Sequence, residues 1–280
     1  MKPIPTIILK NGNRVPALGQ GTWNMGESPA AAADEVRALQ QGIALGMTLI
    51  DTAEMYGDGG AEKVVGKAIA GRRDEVYLVS KVLPVNASRQ GTIKACEASL
   101  RRMQVERIDL YLLHWRGAQP FSATIAAMET LVAQGKIGAW GVSNLDHDDM
   151  QELLALDNGA HAQVNQVLYN LSRRGIEFDL QPYCAQQDIA IMAYSPIEQG
   201  RLLQDATLVA VAARHGVTPA RIALAWTLRH PGVIAIPKAS TAKHVQDNRA
   251  CVDLQLSPTD LAELDLAFAP PRKRRPLEML

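Results

Sequence analysis

The chain has 280 residues, 47% of them hydrophobic and 21% charged, with a formal net charge of +0 at pH 7. That is an ordinary soluble globular composition with room for one large core, and the charge balance argues against nucleic acid as a partner. No apolar run approaches the roughly 18 residues needed to span a bilayer, so no membrane contact is expected.

Three scattered cysteines, Cys96, Cys184 and Cys251, form no CxxC pair. They fit a reducing compartment rather than a zinc or redox motif. Met1-Lys-Pro-Ile-Pro lacks the apolar core of a secretory signal, and a cytoplasmic location is expected.

Residues 6–9 and 15–18 flank Asn11-Gly12, a pair favoured in tight hairpin turns because both residues tolerate positive φ. An opening β-hairpin follows from this, and residues 17–23 are the candidate first strand of the main sheet. Ser28-Pro29 has the form of a helix cap with proline at the first helical position. Val36, Leu39 and Ile43 then carry helical spacing, with Gly46 as the stop.

From there strands and helices alternate. Strands are predicted at 48–51, 76–81, 108–114, 137–142, 162–167, 189–194 and 233–237. Helices are predicted at 61–70, around Ile93, Cys96, Leu100 and Met103, and at 145–156, 176–187, 208–214, 219–230, 242–251 and 258–268. One further helix is capped by Ser122, turns Ile125, Met128, Leu131 and Val132 inward, and ends at Gly135. Eight strands separated by helices, with no low-complexity linker, imply an α/β fold: one closed (β/α)8 TIM barrel over residues 1–280, with an N-terminal hairpin and an extra C-terminal helix. A doubly wound nucleotide fold is disfavoured. Gly19-x-Gly21 lacks its third glycine, Asn24 standing there, and Gly57-x-Gly59 fails likewise at Glu62.

Three of these strands end on a polar group: Asp51, Lys81 and His114. Tyr56 follows Asp51 in a segment running into Gly57, Gly59 and Gly60. The C-terminal strand ends of such a barrel line one site, so the four are expected to converge. A buried ammonium needs a partner, which Asp51 can supply. Lys81 favours the phenolate form of Tyr56 and so lowers its pKa from about 10. His114 can donate a hydrogen bond to a carbonyl oxygen. This set suits protonation of an oxygen that is gaining charge, as in carbonyl reduction. No side chain donates hydride, so a nicotinamide or flavin is required. Asp146-His-Asp-Asp149 is the start of a helix, where acids favour the positive dipole end, and no metal site is expected. The run Arg272-Lys-Arg-Arg275 is expected to be a solvated tail.

The sequence resembles the aldo-keto reductases over nearly its whole length. Asp51-Thr-Ala-Glu-Met-Tyr-Gly57, Lys81 and Leu112-Leu-His-Trp115 are similar to the family's catalytic segments. The resemblance implies a tetrad of Asp51, Tyr56, Lys81 and His114, with Tyr56 as general acid. Gly141-Val-Ser-Asn144, Asn165-Gln-Val167 and Ala193-Tyr-Ser-Pro196 resemble its cofactor segments. They imply that Ser143, Asn144 and Gln166 hold the nicotinamide carboxamide, that Tyr194 stacks on the ring, and that Ser195, Gly21, Thr22 and Asp51 also line the cofactor.

Ile236-Pro-Lys-Ala239 and Asp247-Asn248 resemble the segment that binds the adenosine phosphate and adenine, which implies roles for Lys238, His244, Asp247 and Asn248. His244 stands where many NADPH-preferring members carry arginine. NADPH is therefore the expected cofactor, with NADH possible. Trp23, Tyr56, His114 and Trp115 would wall a pocket for a small aldehyde or ketone, and the short segment after Phe268 suggests an open pocket. The expected function is NADPH-dependent reduction of aldehydes or ketones. The alternative is a non-catalytic nucleotide-binding regulatory subunit on the same barrel.

Overall fold

The computed structural model describes residues 1–280. A two-stranded hairpin, β1 (Thr6–Ile8) and β2 (Arg14–Pro16), opens the chain. Its turn lies at Asn11-Gly12 as expected, but only one of the two residues takes the positive φ that the pair allows. Leu9 N–H donates to Asn13 O, so three residues form the loop, and of Asn11 and Gly12 only Gly12 has positive φ, at 86°. That is the longer hairpin loop, in which one left-handed glycine suffices.

Eight parallel strands follow: β3 (Gln20–Gly21), β4 (Leu49–Asp51), β5 (Tyr77–Val82), β6 (Ile108–Leu113), β7 (Ile137–Ser143), β8 (Val164–Leu168), β9 (Ala190–Tyr194) and β10 (Val233–Ala235). Each pairs with its sequence neighbour. The sheet closes between first and last strand, where Gly19 N–H donates to Ala235 O, Ala235 N–H to Ala17 O, and Gly21 N–H to Pro237 O. Helices α1 (Ala32–Ala44), α2 (Gly60–Ile69), α3 (Arg89–Met103), α4 (Phe121–Ala133), α5 (His147–Leu154), α6 (Leu180–Gln186), α7 (Ala206–His215), α8 (Pro219–Thr227), α9 (Ala242–Ala250) and α10 (Pro258–Ala267) complete it.

Side chains alternate across a strand with period two, and this divides the core in two. Leu49, Val79, Leu110, Leu112, Ala139, Val164, Met192 and Ile234 fill the barrel interior, and Leu9 and Val15 of the hairpin pack against them. The opposite phase, including Ile50, Leu78, Tyr111, Leu113 and Val167, packs under the helices. Asn11 N–H donates to the Gln163 side chain at 2.8 Å, which pins the hairpin loop to the barrel.

Several local expectations are corrected. Ser28 does not cap α1. The chain turns at 28–31, with Ala31 N–H donating to Ser28 O, and the helix starts at Ala32 without a side-chain cap. Pro120, not Ser122, occupies the N-cap of α4, because its extended ψ of 142° is the cap conformation and Ser122 lies one residue inside. Val132 is exposed, since the inward face is already formed by Ile125, Met128 and Leu131. The expected helix over 176–187 breaks at Asp179, whose φ of −136° is non-helical and whose carboxylate accepts from Leu180 N–H to start α6. All three cysteines are buried and free. No helix is long and apolar enough to cross a membrane.

Candidate active site

The period-two alternation decides which strand residues reach the site. On β4, Asp51 shares the inward phase of Leu49; on β5, Lys81 shares that of Val79. His114, just past β6, continues the phase of Leu110 and Leu112. Ser143 and Tyr194 end β7 and β9, and Gln166 lies within β8, in the same phase as Ala139, Met192 and Val164. Seven residues after β4 is reached, the chain turns at Tyr56-Gly57 and brings the phenol back over the strand ends. Gly57 has φ 56°, and an added Cβ would meet Met25 O at 2.9 Å, so only glycine fits that turn.

Lys81 is completely buried. Its ammonium donates to Asp51 Oδ2 at 2.8 Å, Thr52 O at 2.8 Å and Tyr56 Oη at 3.1 Å. An ammonium has three N–H donors, so all are used. Because Lys81 donates to the phenol oxygen, the phenol's own hydrogen is free for another acceptor. Asp51 Oδ1 accepts from Gln166 Nε2 at 2.7 Å, which fixes the second carboxylate oxygen. The rings of Trp23 and His114 flank Tyr56 edge-on, with centroids at 4.9 and 5.7 Å. Trp115 packs on His114 at 4.8 Å.

The electrostatics follow from burial and these contacts. Burial raises the Tyr56 pKa above its usual 10, Lys81 opposes this, and Asp51 adds to it. The net direction is therefore opposite to the sequence expectation, although the Lys81 contribution has the expected sign. Burial disfavours the Lys81 ammonium, but the charge of Asp51, then Tyr56, and their hydrogen bonds outweigh it and leave its pKa raised. Burial, reinforced by the Lys81 charge, lowers the His114 pKa to about 2. Its imidazole is neutral at any physiological pH.

One cavity of about 730 Å³ runs over these strand ends. Every residue expected to bind cofactor lines it: Gly21, Thr22, Asp51, Ser143, Asn144, Gln166, Tyr194, Ser195, Lys238, His244, Asp247 and Asn248. So do Trp23, Tyr56, His114 and Trp115, whereas Lys81 stands behind Tyr56. Gln166 spends its amide N–H groups on Asp51 and on Met192 Sδ, leaving its carbonyl as acceptor. Asn144, at φ 55°, donates to His114 O and Ser143 Oγ, each at 3.2 Å. Its carbonyl accepts from Tyr194 Oη at 3.0 Å. At the far end Lys238 and His244 are exposed, and Asp247 is bound to Arg221 and Thr218 of the neighbouring helix, each at 2.6 Å.

Two walls of the cavity were not expected. The first is the loop 195–203, which adds Pro196, Ile197, Gln199, Gly200 and Leu203 to the expected Ser195. Ser195, Glu198 and Gln199 have φ of 47°, 51° and 54°. Such non-glycine conformations cost about 1 kcal/mol or more each and persist only where contacts hold them. The second wall is Met279 and Leu280. The basic run leading to them is exposed, as expected, but it is also anchored at one residue. Arg274 pairs with Asp148 at 2.8 Å and Asp179 at 3.1 Å, and Glu278 with Arg173 at 2.6 Å. These partners lie on other elements, so only the tertiary fold supplies them to Arg274 and Glu278. The expected open pocket is accordingly narrowed by this segment. The acidic turn Asp146-His-Asp-Asp149 begins α5 as expected, with Asp146 accepting from Asp149 N–H.

Comparison with known proteins gives a consistent result. Residues 17–268 match the model of the aldo/keto reductase family. The chain is 55% identical over 271 residues to methylglyoxal reductase YeaE of Escherichia coli (strain K12), covering 95% of each. It is 35% identical over 260 residues to glyoxal reductase of Bacillus subtilis (strain 168), covering 93% of this chain and 91% of the relative. The crystal structure of an aldo-keto reductase from Klebsiella pneumoniae in complex with NADPH superposes with a TM-score of 0.97 at 51% identity, covering 100% of both chains.

Proposed function

The chain belongs to the aldo/keto reductase family, and from that membership we propose that it reduces small aldehydes or ketones to alcohols with NADPH, Tyr56 acting as the general acid. The observation that carries this reading is the buried chain Asp51–Lys81–Tyr56, whose terminal phenol lines the cavity with its hydrogen uncommitted. The named relatives act on methylglyoxal and glyoxal, which supports a small, reactive carbonyl substrate.

The cavity suits a dinucleotide in size, being within the usual range of about 300–1,000 Å³ for ligand sites. Its donor set suits one too. Ser143, Asn144 and the Gln166 carbonyl offer hydrogen bonds to a carboxamide, Tyr194 offers a ring face, and Lys238 offers a cation for a phosphate. Bound nicotinamide supplies the hydride, which no side chain can.

The chain's own residues do the rest. His114, being neutral, offers one N–H to the carbonyl oxygen without competing as an acid. Tyr56 gives its proton to that oxygen as negative charge builds there, and Lys81 stabilises the phenolate left behind. Asp51 keeps the ammonium charged and in place. Solvent then returns the proton to Tyr56. The alternative of a non-catalytic regulatory subunit gives no reason for this buried, fully bonded triad.

The test is NADPH oxidation with a panel of reactive aldehydes, methylglyoxal included. Wild type is expected to turn over well above background. Tyr56→Phe keeps the ring and removes the acid, so turnover should fall by about 10²-fold or more while NADPH affinity changes little. Near-normal turnover by Tyr56→Phe would remove it as the acid.

A further inference from the structure

The two unexpected cavity walls meet at one side chain. Arg173, three residues past Asn170, with which it forms an isolated bridge just after the end of β8, reaches both ways. Its Nη1 donates to Glu278 Oε1 at 2.6 Å, and its Nη2 and Nε to Glu198 Oε1 at 3.0 and 3.2 Å. Glu198 is buried in the left-handed stretch of loop 195–200. Arg201 holds it at 2.8 Å, and Asn170 Nδ2 at 2.8 Å. The same Asn170 amide donates to Ser195 O at 2.9 Å, while its carbonyl accepts from the backbone N–H groups of Ser172 and Arg173. Glu278 directly precedes Met279 and Leu280. Burial pushes the Tyr194 phenol up to about 12, and Leu280 comes close enough for its backbone N–H to oppose that rise in part.

From this we infer that Arg173 is a positioning residue that clamps the strained loop 195–200 and the segment 277–280 into one wall of the cavity. It does so with two arms, one to Glu198 and one to Glu278. A guanidinium can serve two carboxylates at once through its fork of five N–H donors, which a lysine ammonium does not reproduce. The Glu198 arm is the buried one and fixes the loop that carries Ser195 and Gln199. The Glu278 arm is partly exposed and fixes Met279 and Leu280. Loosening the first should weaken cofactor binding; loosening the second should weaken aldehyde binding.

The inference rests on the proposed reductase reading for its kinetic consequences, so one readout is chosen that does not depend on activity. In the full chain Arg274 is held by Asp148 and Asp179, so trypsin cleavage after Arg274, resolved by mass spectrometry from cleavage after the exposed Arg272 and Lys273, reports lifting of the segment. Three quantities are measured: the rate of that cleavage, the NADPH dissociation constant from tryptophan fluorescence, and KM and kcat for methylglyoxal at saturating NADPH. Glu278→Gln should raise the cleavage rate and KM by about two- to fivefold, the scale of a partly exposed ion pair, with NADPH affinity unchanged. Glu198→Gln should weaken NADPH by about tenfold or more, the scale of a broken buried pair, with kcat less affected.

Arg173→Met should do both, and adding Glu278→Gln to it should change cleavage no further, since contacts already lost cannot be lost twice. Arg173→Lys, which retains the charge and the fold, should rescue one arm at most. Full additivity of Arg173→Met and Glu278→Gln in the cleavage rate overturns the clamp, as does an Arg173→Met variant with unchanged cleavage and NADPH affinity. A wild type that fails to bind or oxidise NADPH counts against the proposed function instead, and the cleavage cycle still decides the clamp.

Discussion

At the scale of the residue, burial and donor count control the chemistry. His114 titrates far below neutrality, at about 2, and the Tyr56 pKa is raised. As the proposed acid, Tyr56 would act while protonated, so reduction should be lost only as pH rises through its pKa. The rate kcat/KM for reduction should therefore be flat between about pH 6 and 8, with no break near the ordinary histidine value of about 6.5. A pH–rate profile with such a break would assign the proton to a histidine. Lys81→Met removes the cation that opposes burial at Tyr56, so the phenol's pKa rises further. The alcohol-oxidising reaction, which needs phenolate, should shift to more alkaline pH or vanish; an unchanged profile would take Lys81 out of the mechanism. At the other end of the cavity Lys238 makes no ion pair in the protein and lines the cleft. Lys238→Ala should weaken NADPH by about tenfold, roughly one charge-assisted contact, and NADH hardly at all. Equal losses of both, measured as dissociation constants, would tie Lys238 to the fold or the shared pyrophosphate.

At the scale of the element, strand-end chemistry was legible in the sequence because it needs only the period of two and the closing of a barrel. Helix starts were less so. Asp146, Thr218, Thr241 and Ser257 cap as their residue type suggests, whereas Ser28 and Ser122 do not. Serine before an apolar run cannot reveal whether the next residues have already turned. Helix α10 shows a cap that does more than start a helix. Asp260 forms a capping box with Ser257 and also accepts from Arg214 at 2.7 Å and His215 at 2.8 Å on α7. Burial would raise its pKa, but the bonds from Ser257, then His215 and Arg214, hold its carboxyl well below the usual range. A depressed carboxylate contributes stability that is complete above its unfolded pKa of about 3.9 and is lost as pH falls. Asp260→Asn should cost about 3 kcal/mol in urea unfolding at pH 7. That gap should hold down to about pH 5 and narrow below about pH 4; a constant gap at pH 3 would show that the charge is not what docks α10.

At the scale of the whole molecule, the barrel and its hairpin were legible, but the last segment was not. Arg274 and Glu278 find partners more than 90 positions away in sequence, which no local pattern announces. Barrel closure rests on a narrow seam. An added Cβ at Gly21 would meet Ile236 O at 2.7 Å, and that carbonyl belongs to the opposite side of the seam. Gly21→Ala should therefore cost about 1–3 kcal/mol by overpacking and weaken NADPH, because Gly21 also lines the cavity. A thermal melt and a cofactor titration check both; a variant with unchanged melting and affinity would show that the seam gives way freely. The three thiols have a consequence of a different kind. Cys96, Cys184 and Cys251 are at most 1% exposed, and burial pushes the first two up to about 12 and the third higher still. A thiol reacts as thiolate and only where a reagent can reach it. The folded chain's thiols are thus chemically silent toward electrophiles, a useful property in a protein proposed to work amid reactive aldehydes. It also makes the cysteines a built-in clock: iodoacetamide should label none of them in the native state and all three on global opening, so the labelling rate reads out unfolding directly.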